Sequence, residues 1–217
     1  MAHRGGRPIK LEGLKINFLG DSITEGHGLE DMNDVYWRVL ERECRLETAR
    51  GYGIGGTRIA VQHCPSDPVK DQDFISRVDG MDADADVVVV FGGTNDFGHG
   101  DAPLGSMSDR SPYTFYGACH FLIKKLLLRY PDAQLVFMTP LHRTVEDRGG
   151  RRLPDFVAAI RQVAEYYGVP VADMYATCQI QPQIPENKQR FCPDGLHPNA
   201  AGHRRIYQRL RGFLESL

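Results

Sequence analysis

A chain of 217 residues exceeds a minimal domain and falls short of two ample ones, so its length favours one compact unit over residues 1–217. Hydrophobic residues make up 41% and charged residues 25%, which excludes collagen-like, mucin-like and intrinsically disordered classes. Lys and Arg number 26 against 28 Asp and Glu; the formal charge of -2 gives no field that would draw in nucleic acid or an anionic membrane.

The N-terminal stretch through Pro8 is basic, but no apolar segment of secretory length follows it before Lys10, Glu12 and Lys15. A signal peptide is therefore not expected, and residues 1–13 read as an N-terminal extension. The longest apolar run, Val87-Val88-Val89-Val90-Phe91, is far shorter than the roughly 20 residues that span a bilayer, so membrane insertion is not expected. The five cysteines (Cys44, Cys64, Cys119, Cys178 and Cys192) are odd in number and form no C-x-x-C pair. That pattern argues against a disulfide framework or a zinc cluster and predicts reduced, buried thiols in a cytoplasmic protein.

Five short apolar runs predict strands at 14–19, 46–52, 86–91, 134–138 and 169–172, the second having the least regular pattern. Helical stripes lie between and after them: Phe115, Ala118, Cys119, Leu122 and Leu126; Phe156, Ile160, Val163, Ala164 and Tyr167; Ile206, Leu210, Phe213, Leu214 and Leu217. Alternating strands and helices imply βαβ crossovers and a mostly parallel sheet covered on both faces, with the valine-rich third strand at its centre. Long loops at 97–111, 141–152 and 174–193 each follow a predicted strand, on the sheet edge where open α/β folds bind ligands.

Chemistry-bearing residues cluster at those strand ends. Gly20-Asp21-Ser22 places a serine on the turn leaving the first strand, but Thr24 stands where the lipase-type G-x-S-x-G elbow needs glycine. A serine in such a turn is usually only a cap, so it needs partners to count as a nucleophile. Asp194-Gly195-Leu196-His197 supplies a base and an orienting carboxylate three residues apart. Gly92-Gly93-Thr94-Asn95-Asp96 offers a side-chain amide at the end of the third strand, and Gly53-Ile54-Gly55-Gly56-Thr57 offers unhindered backbone N–H groups after the second.

Taken together and in this order, the four blocks resemble the SGNH (GDSL) hydrolase superfamily over almost the whole chain from Ile16 onward. The resemblance implies a three-layer α/β/α, flavodoxin-like fold with a five-stranded parallel sheet, and catalysis without metal or cofactor. It implies Ser22 as nucleophile, His197 as base and Asp194 as its orienter. The oxyanion hole would comprise the Ser22 N–H, the Gly56 N–H and the Asn95 side chain, with Gly55 the close alternative to Gly56. The expected activity is a GDSL-type esterase or acylhydrolase acting through an acyl-enzyme.

The long loops are polar, with only Phe97, Leu104 and Met107 as large apolar residues in 97–111, which suits a short-chain or carbohydrate O-acyl ester better than a lipid. A lysophospholipase or thioesterase would use the same residues, and a catalytically silent SGNH-like binding module is the non-enzymatic alternative. Two other patterns carry less. Gly51 to Gly56 matches G-x-G-x-x-G but follows the second strand rather than the first. His197 and His203, six apart, do not share the helix face that metal-binding pairs at i, i+4 use.

Overall fold

The computed structural model describes residues 10–217. The elements run β1 (Lys15–Gly20), α1 (Ser22–Glu25), α2 (Tyr36–Cys44), β2 (Thr48–Gly53), α3 (Phe74–Arg77), β3 (Val87–Phe91), α4 (Thr94–His99), α5 (Phe115–Arg129) and β4 (Gln134–Met138). They continue with β5 (Asp147–Arg148), β6 (Arg151–Arg152), α6 (Leu153–Tyr166), β7 (Val171–Ala172), α7 (Met174–Thr177), α8 (Pro185–Phe191) and α9 (Ala200–Leu214). All five predicted strands form, within two residues of their expected bounds, in one parallel sheet ordered β2-β1-β3-β4-β7.

Strand periodicity sorts the core into two layers. On β3, Val88 and Val90 face a cluster built with Phe115, Leu122, Leu126, Phe156 and Ile160 from α5 and α6. Val87, Val89 and Phe91 face the opposite cluster, which holds Tyr36, Leu40, Ile206 and Leu210 from α2 and α9. The unbroken apolar run of β3 thus alternates between two greasy faces, as a central strand buried on both sides must. This is an α/β fold of three layers, and the three predicted helical stripes occupy α5, α6 and α9.

Parts of the expected loops carry structure. Segment 141–152 contains a two-stranded antiparallel hairpin of β5 and β6, closed by Gly149 and Gly150 at φ 62° and 91°. Both glycines take the left-handed conformation that tight hairpin turns demand. Segment 174–193 contains α7 and α8, and α4 runs through His99. Of the expected N-terminal extension, residues 1–9 lie outside the described residues, while Leu11 is buried in the α2–α9 layer. All five cysteines are free, but Cys64 is exposed, contrary to the expectation of burial. It sits on the long 54–73 connection, where no hydrophobic layer reaches it. No helix among the described residues is long and apolar enough to cross a membrane.

The tryptophan on α2 ties the fold to the first strand's turn. Trp37 Nε1 donates to the Thr24 carbonyl oxygen at 2.9 Å, and its ring packs against Gly51 of β2. A Cβ at Gly51 would come within 2.4 Å of Trp37 Cζ2. Gly51→Ala should therefore destabilise the fold by about 1–3 kcal/mol through overpacking. Urea unfolding followed by the fluorescence of this one tryptophan tests it; an unchanged midpoint would show that the ring moves aside freely.

Candidate active site

The sheet order places the chain's change of direction between β1 and β3, since β1 leads outward to β2 and the chain returns to β1's other side at β3. Their carboxyl ends open the crevice in which such folds bind ligands. Ser22 is the first residue of α1, just beyond β1. Asp21 caps that helix, its Oδ1 accepting from the Ile23 N–H at 3.0 Å. The Ser22 N–H, at the helix start, makes no backbone hydrogen bond among the described residues, as the first donors of a helix do.

His197 arrives from the opposite end of the chain. Its Nε2 lies 3.1 Å from Ser22 Oγ, and its Nδ1 lies 2.6 Å from Asp194 Oδ2. The carboxylate must accept from Nδ1–H, which leaves Nε2 as acceptor for the serine hydroxyl. Asp194 is fixed in turn, because its Oδ1 accepts from the N–H groups of Leu196 at 2.8 Å and His197 at 2.7 Å. Burial disfavours its charge, but these bonds and the imidazole hold the Asp194 carboxyl below the usual carboxylate range. A hydroxyl, an imidazole and an ionised carboxylate so linked can pass a proton away from oxygen as it attacks an electrophile.

Asn95, on the first turn of α4, is 5% exposed, and its Nδ2 donates one hydrogen to the Thr57 carbonyl oxygen at 3.0 Å. The second amide hydrogen has no partner among the described residues. Next to it, Asp96 accepts from the N–H groups of Ile59 at 3.0 Å and Ala60 at 2.9 Å. Together they clamp the 54–73 connection onto α4. The turn from Ile54 to Thr57 closes through the Thr57 N–H on the Ile54 carbonyl at 3.3 Å, with Gly56 left-handed at φ 76°. That conformation explains the glycine at 56. Gly55 is glycine for another reason: a Cβ there would stand 3.8 Å from Ser22 Cβ and 2.7 Å from Glu25 Oε2, whereas one at Gly56 would meet the Lys70 side chain. Of the two, Gly55 is the one whose missing side chain opens onto Ser22.

His27 was not marked by any motif, yet its ring lies 4.4 Å from that of His197. Its signal in the sequence is only its place one turn beyond Ser22. His203 is fully buried in α9, where Nδ1 accepts from the Tyr36 N–H at 3.3 Å and the ring stacks on Tyr36, so it packs α9 on α2. No group of three or more metal-ligand side chains occurs among the described residues. The Gly51 to Gly56 stretch covers the end of β2 and the turn, and the next helix begins only at Phe74.

A shallow cavity of about 200 Å³ beside His197 is lined by His27, Gly28, Pro193, Asp194 and Asn199. A longer groove of about 930 Å³ runs between the β5–β6 hairpin and α8, past Thr144, Glu146, Arg152, Gln183 and Lys188. Thr144 joins it to the site, its N–H donating to the Gly195 carbonyl at 2.9 Å.

The family model described as GDSL-like Lipase/Acylhydrolase family matches residues 18–205. Among solved structures, a protein from Lactobacillus plantarum is 32% identical over 94% of this chain and 98% of its own, with a TM-score of 0.83. A possible lipase from Chitinophaga pinensis is 23% identical over 92% and 97%, with a TM-score of 0.70. An acetyl xylan esterase is 22% identical over 92% and 99%, with a TM-score of 0.65. The last two likenesses bear on the fold alone. No curated protein matches the chain.

Asp21 and Asp96 make the stability of this site depend on pH. Burial, aided by the charge of Asp96 and opposed by the Ile23 N–H and Arg77, pushes Asp21 up to about 7. Burial likewise pushes Asp96 up to about 6, against its bonds from Ala60 and Ile59. A carboxyl whose folded pKa exceeds its unfolded value of about 3.9 holds its proton more tightly when folded, so its contribution is complete below that value and is lost as pH rises through the folded pKa. Asp21→Asn keeps a capping side chain and removes the charge. Thermal melts from about pH 4 to pH 7 should fall less steeply in this variant than in wild type, Asp96 supplying the remainder. Superimposable profiles would remove Asp21 as a source.

Proposed function

The chain belongs to the GDSL-like lipase/acylhydrolase family, and on that premise we propose that it is a serine hydrolase of carboxylic esters. Ser22 is the nucleophile, His197 the general base and Asp194 the carboxylate that fixes the imidazole. The observation that carries this reading is the unbroken link from Ser22 Oγ through His197 to Asp194, at 3.1 Å and 2.6 Å.

In the reaction, Ser22 Oγ attacks the ester carbonyl while His197 Nε2 takes its proton, and the imidazolium formed is stabilised by Asp194. The oxygen that gains charge is met by the Ser22 N–H, the free amide hydrogen of Asn95 and a backbone N–H of the Gly55-Gly56 turn. Gly55 is favoured over Gly56 for this third donor by its proximity to Ser22. Collapse expels the alcohol with the proton from His197. Water then attacks the acyl-enzyme by the same route in reverse.

The surroundings of the site support a reading of the substrate class. Glu25, His27 and Lys70 are exposed around the Ser22 turn, and the cavity beside His197 is small. These features support a short acyl group on a hydroxylated alcohol such as a sugar, a class to which the acetyl xylan esterase among the fold neighbours adds weight. The adjoining groove would seat further polar units of the leaving group. The possible lipase among those neighbours keeps a longer-chain acylhydrolase as the second reading.

A fluorophosphonate probe should label wild type and fail to label Ser22→Ala. Absence of labelling in folded wild type would turn the reading towards a silent binding module. Asn95→Ala should lower kcat by roughly 100- to 1,000-fold with little change in KM, as loss of one oxyanion donor typically does; an unchanged kcat removes Asn95 from the site. Across p-nitrophenyl esters, activity should be highest on acetyl and fall towards longer chains. A preference for eight or more carbons would favour the lipid reading.

A further inference from the structure

Two arginines among the described residues are almost wholly buried, Arg58 at 6% exposure and Arg143 at 8%. Arg58 is matched to its surroundings, since its guanidinium binds Asp71, the Lys70 carbonyl at 3.1 Å and His99 Nδ1 at 3.1 Å. Arg143 is not. Its Nη1 donates to the Thr94 carbonyl oxygen at 3.1 Å and to Thr94 Oγ1 at 3.3 Å, while Nε and Nη2 make no hydrogen bond among the described residues. Neither atom is among the fully buried polar atoms that lack a partner, so both remain reachable from solvent.

The carboxylates nearby are already engaged. Glu146 accepts from His142 at 2.7 Å, from Tyr175 at 2.7 Å and from the Arg143 backbone N–H at 3.1 Å. Asp194 is held by His197 and its own turn. Glu146 and Asp194 lie close enough to favour its charge, yet neither carboxylate bonds its guanidinium, and buried arginines are seldom left without such a partner. The two idle donors are also the pair that matters. Nε–H and Nη2–H point in parallel along one edge of the planar group, the fork that grips a carboxylate through two bonds.

Arg143 sits between two segments that carry site residues. Arg143 reaches the residue before Asn95, and Nη1 lies 2.9 Å from where a Cβ of Gly98 would stand. Its neighbour Thr144 is bonded to the loop that carries Asp194. The Phe97 ring backs the guanidinium, its centroid 5.3 Å from Cζ. His99 adds a neutral donor: its Nδ1 faces an Arg58 N–H and must accept, so its proton sits on Nε2.

We propose that the Nε/Nη2 edge of Arg143 binds a carboxylate carried by the ester substrate, which makes the enzyme selective for acidic esters. The proposal rests on the ester-hydrolase reading for its substrate, though not for the anion site itself. Three phenyl esters separate the sources of the charge: phenyl acetate is neutral, phenyl hemisuccinate carries the carboxylate on the acyl side, and 4-acetoxybenzoate carries it on the leaving alcohol.

In wild type, kcat/KM for one of the two charged esters should exceed that for phenyl acetate, and added NaCl should shrink the advantage. In Arg143→Met that ratio should fall roughly tenfold or more, chiefly through KM, because a bond between two charged groups is lost. Arg143→Lys, which keeps the charge without the fork, should retain part of it. No preference for either charged ester in wild type, or a ratio that Arg143→Met leaves unchanged, overturns the proposal. Calorimetric binding of succinate and of 4-hydroxybenzoate needs no turnover. Binding of either lost in Arg143→Met, in a protein that hydrolyses none of the esters, would sink the hydrolase reading and leave the anion site standing; absence of binding and of hydrolysis would sink both.

Discussion

The pairing of β1 with β3 is the constraint on which the rest of the molecule depends. These strands run parallel in a register that sets Gly20 opposite Phe91, so both chains leave the sheet at the same level. One then turns into Ser22 and the other into Asn95, within two and four residues. No other pair of strand ends in the sheet has its crossovers leading away in opposite directions. The register is protected by the core itself. A slip of one residue would send Val88 and Val90 into the α2–α9 layer and Val87 and Val89 into the α5–α6 layer, whose cavities are shaped for other side chains.

Around that crevice, polar side chains do what apolar packing does elsewhere. The 54–73 connection has no regular secondary structure, and its backbone groups at Thr57, Ile59 and Ala60 are answered by Asn95 and Asp96 from α4. Asp21 does the same for the start of α1. Both carboxyls are fully desolvated for this purpose, and burial raises the pKa of each. The site is thus held rigid by groups that cost stability as they ionise, a concession proteins make where geometry matters more than global stability.

This division explains what the sequence could and could not disclose. Strands β1, β3 and β4 were legible because burial on both faces leaves a run of large apolar residues, and α5, α6 and α9 because one buried stripe repeats at helical spacing. The four polar blocks were legible because each needs a particular residue type at a strand end. Gly55 and Gly56 were not separable, since one is glycine for its backbone conformation and its neighbour for the space it leaves, and both read as G. The β5–β6 hairpin, with two residues per strand, is too short to show any period. Arg143 stands in a charged stretch, among His142, Glu146 and Asp147, where composition speaks for a solvated loop. Its burial comes from α4, whose Thr94 is close in space and 49 residues away in the chain, and whose Phe97 ring backs the guanidinium.

The histidines near the site show how the same residue type is put to opposite uses by its surroundings. In the proposed reaction His197 must become an imidazolium, and the charge that favours this is Asp194, kept ionised by two backbone N–H groups. His203, in the helix that follows, would oppose it if it were also cationic. Burial, and secondarily the charge of His197, push His203 down to about 4, and its Nδ1 accepts from the Tyr36 N–H, a bond that only an unprotonated nitrogen can make. The fold therefore places a neutral ring behind the base and an anion beside it. The positive charge formed during proton transfer meets one carboxylate and no competing cation on α9's first turn, an electrostatic arrangement already in place before substrate arrives and requiring no reorganisation during the reaction.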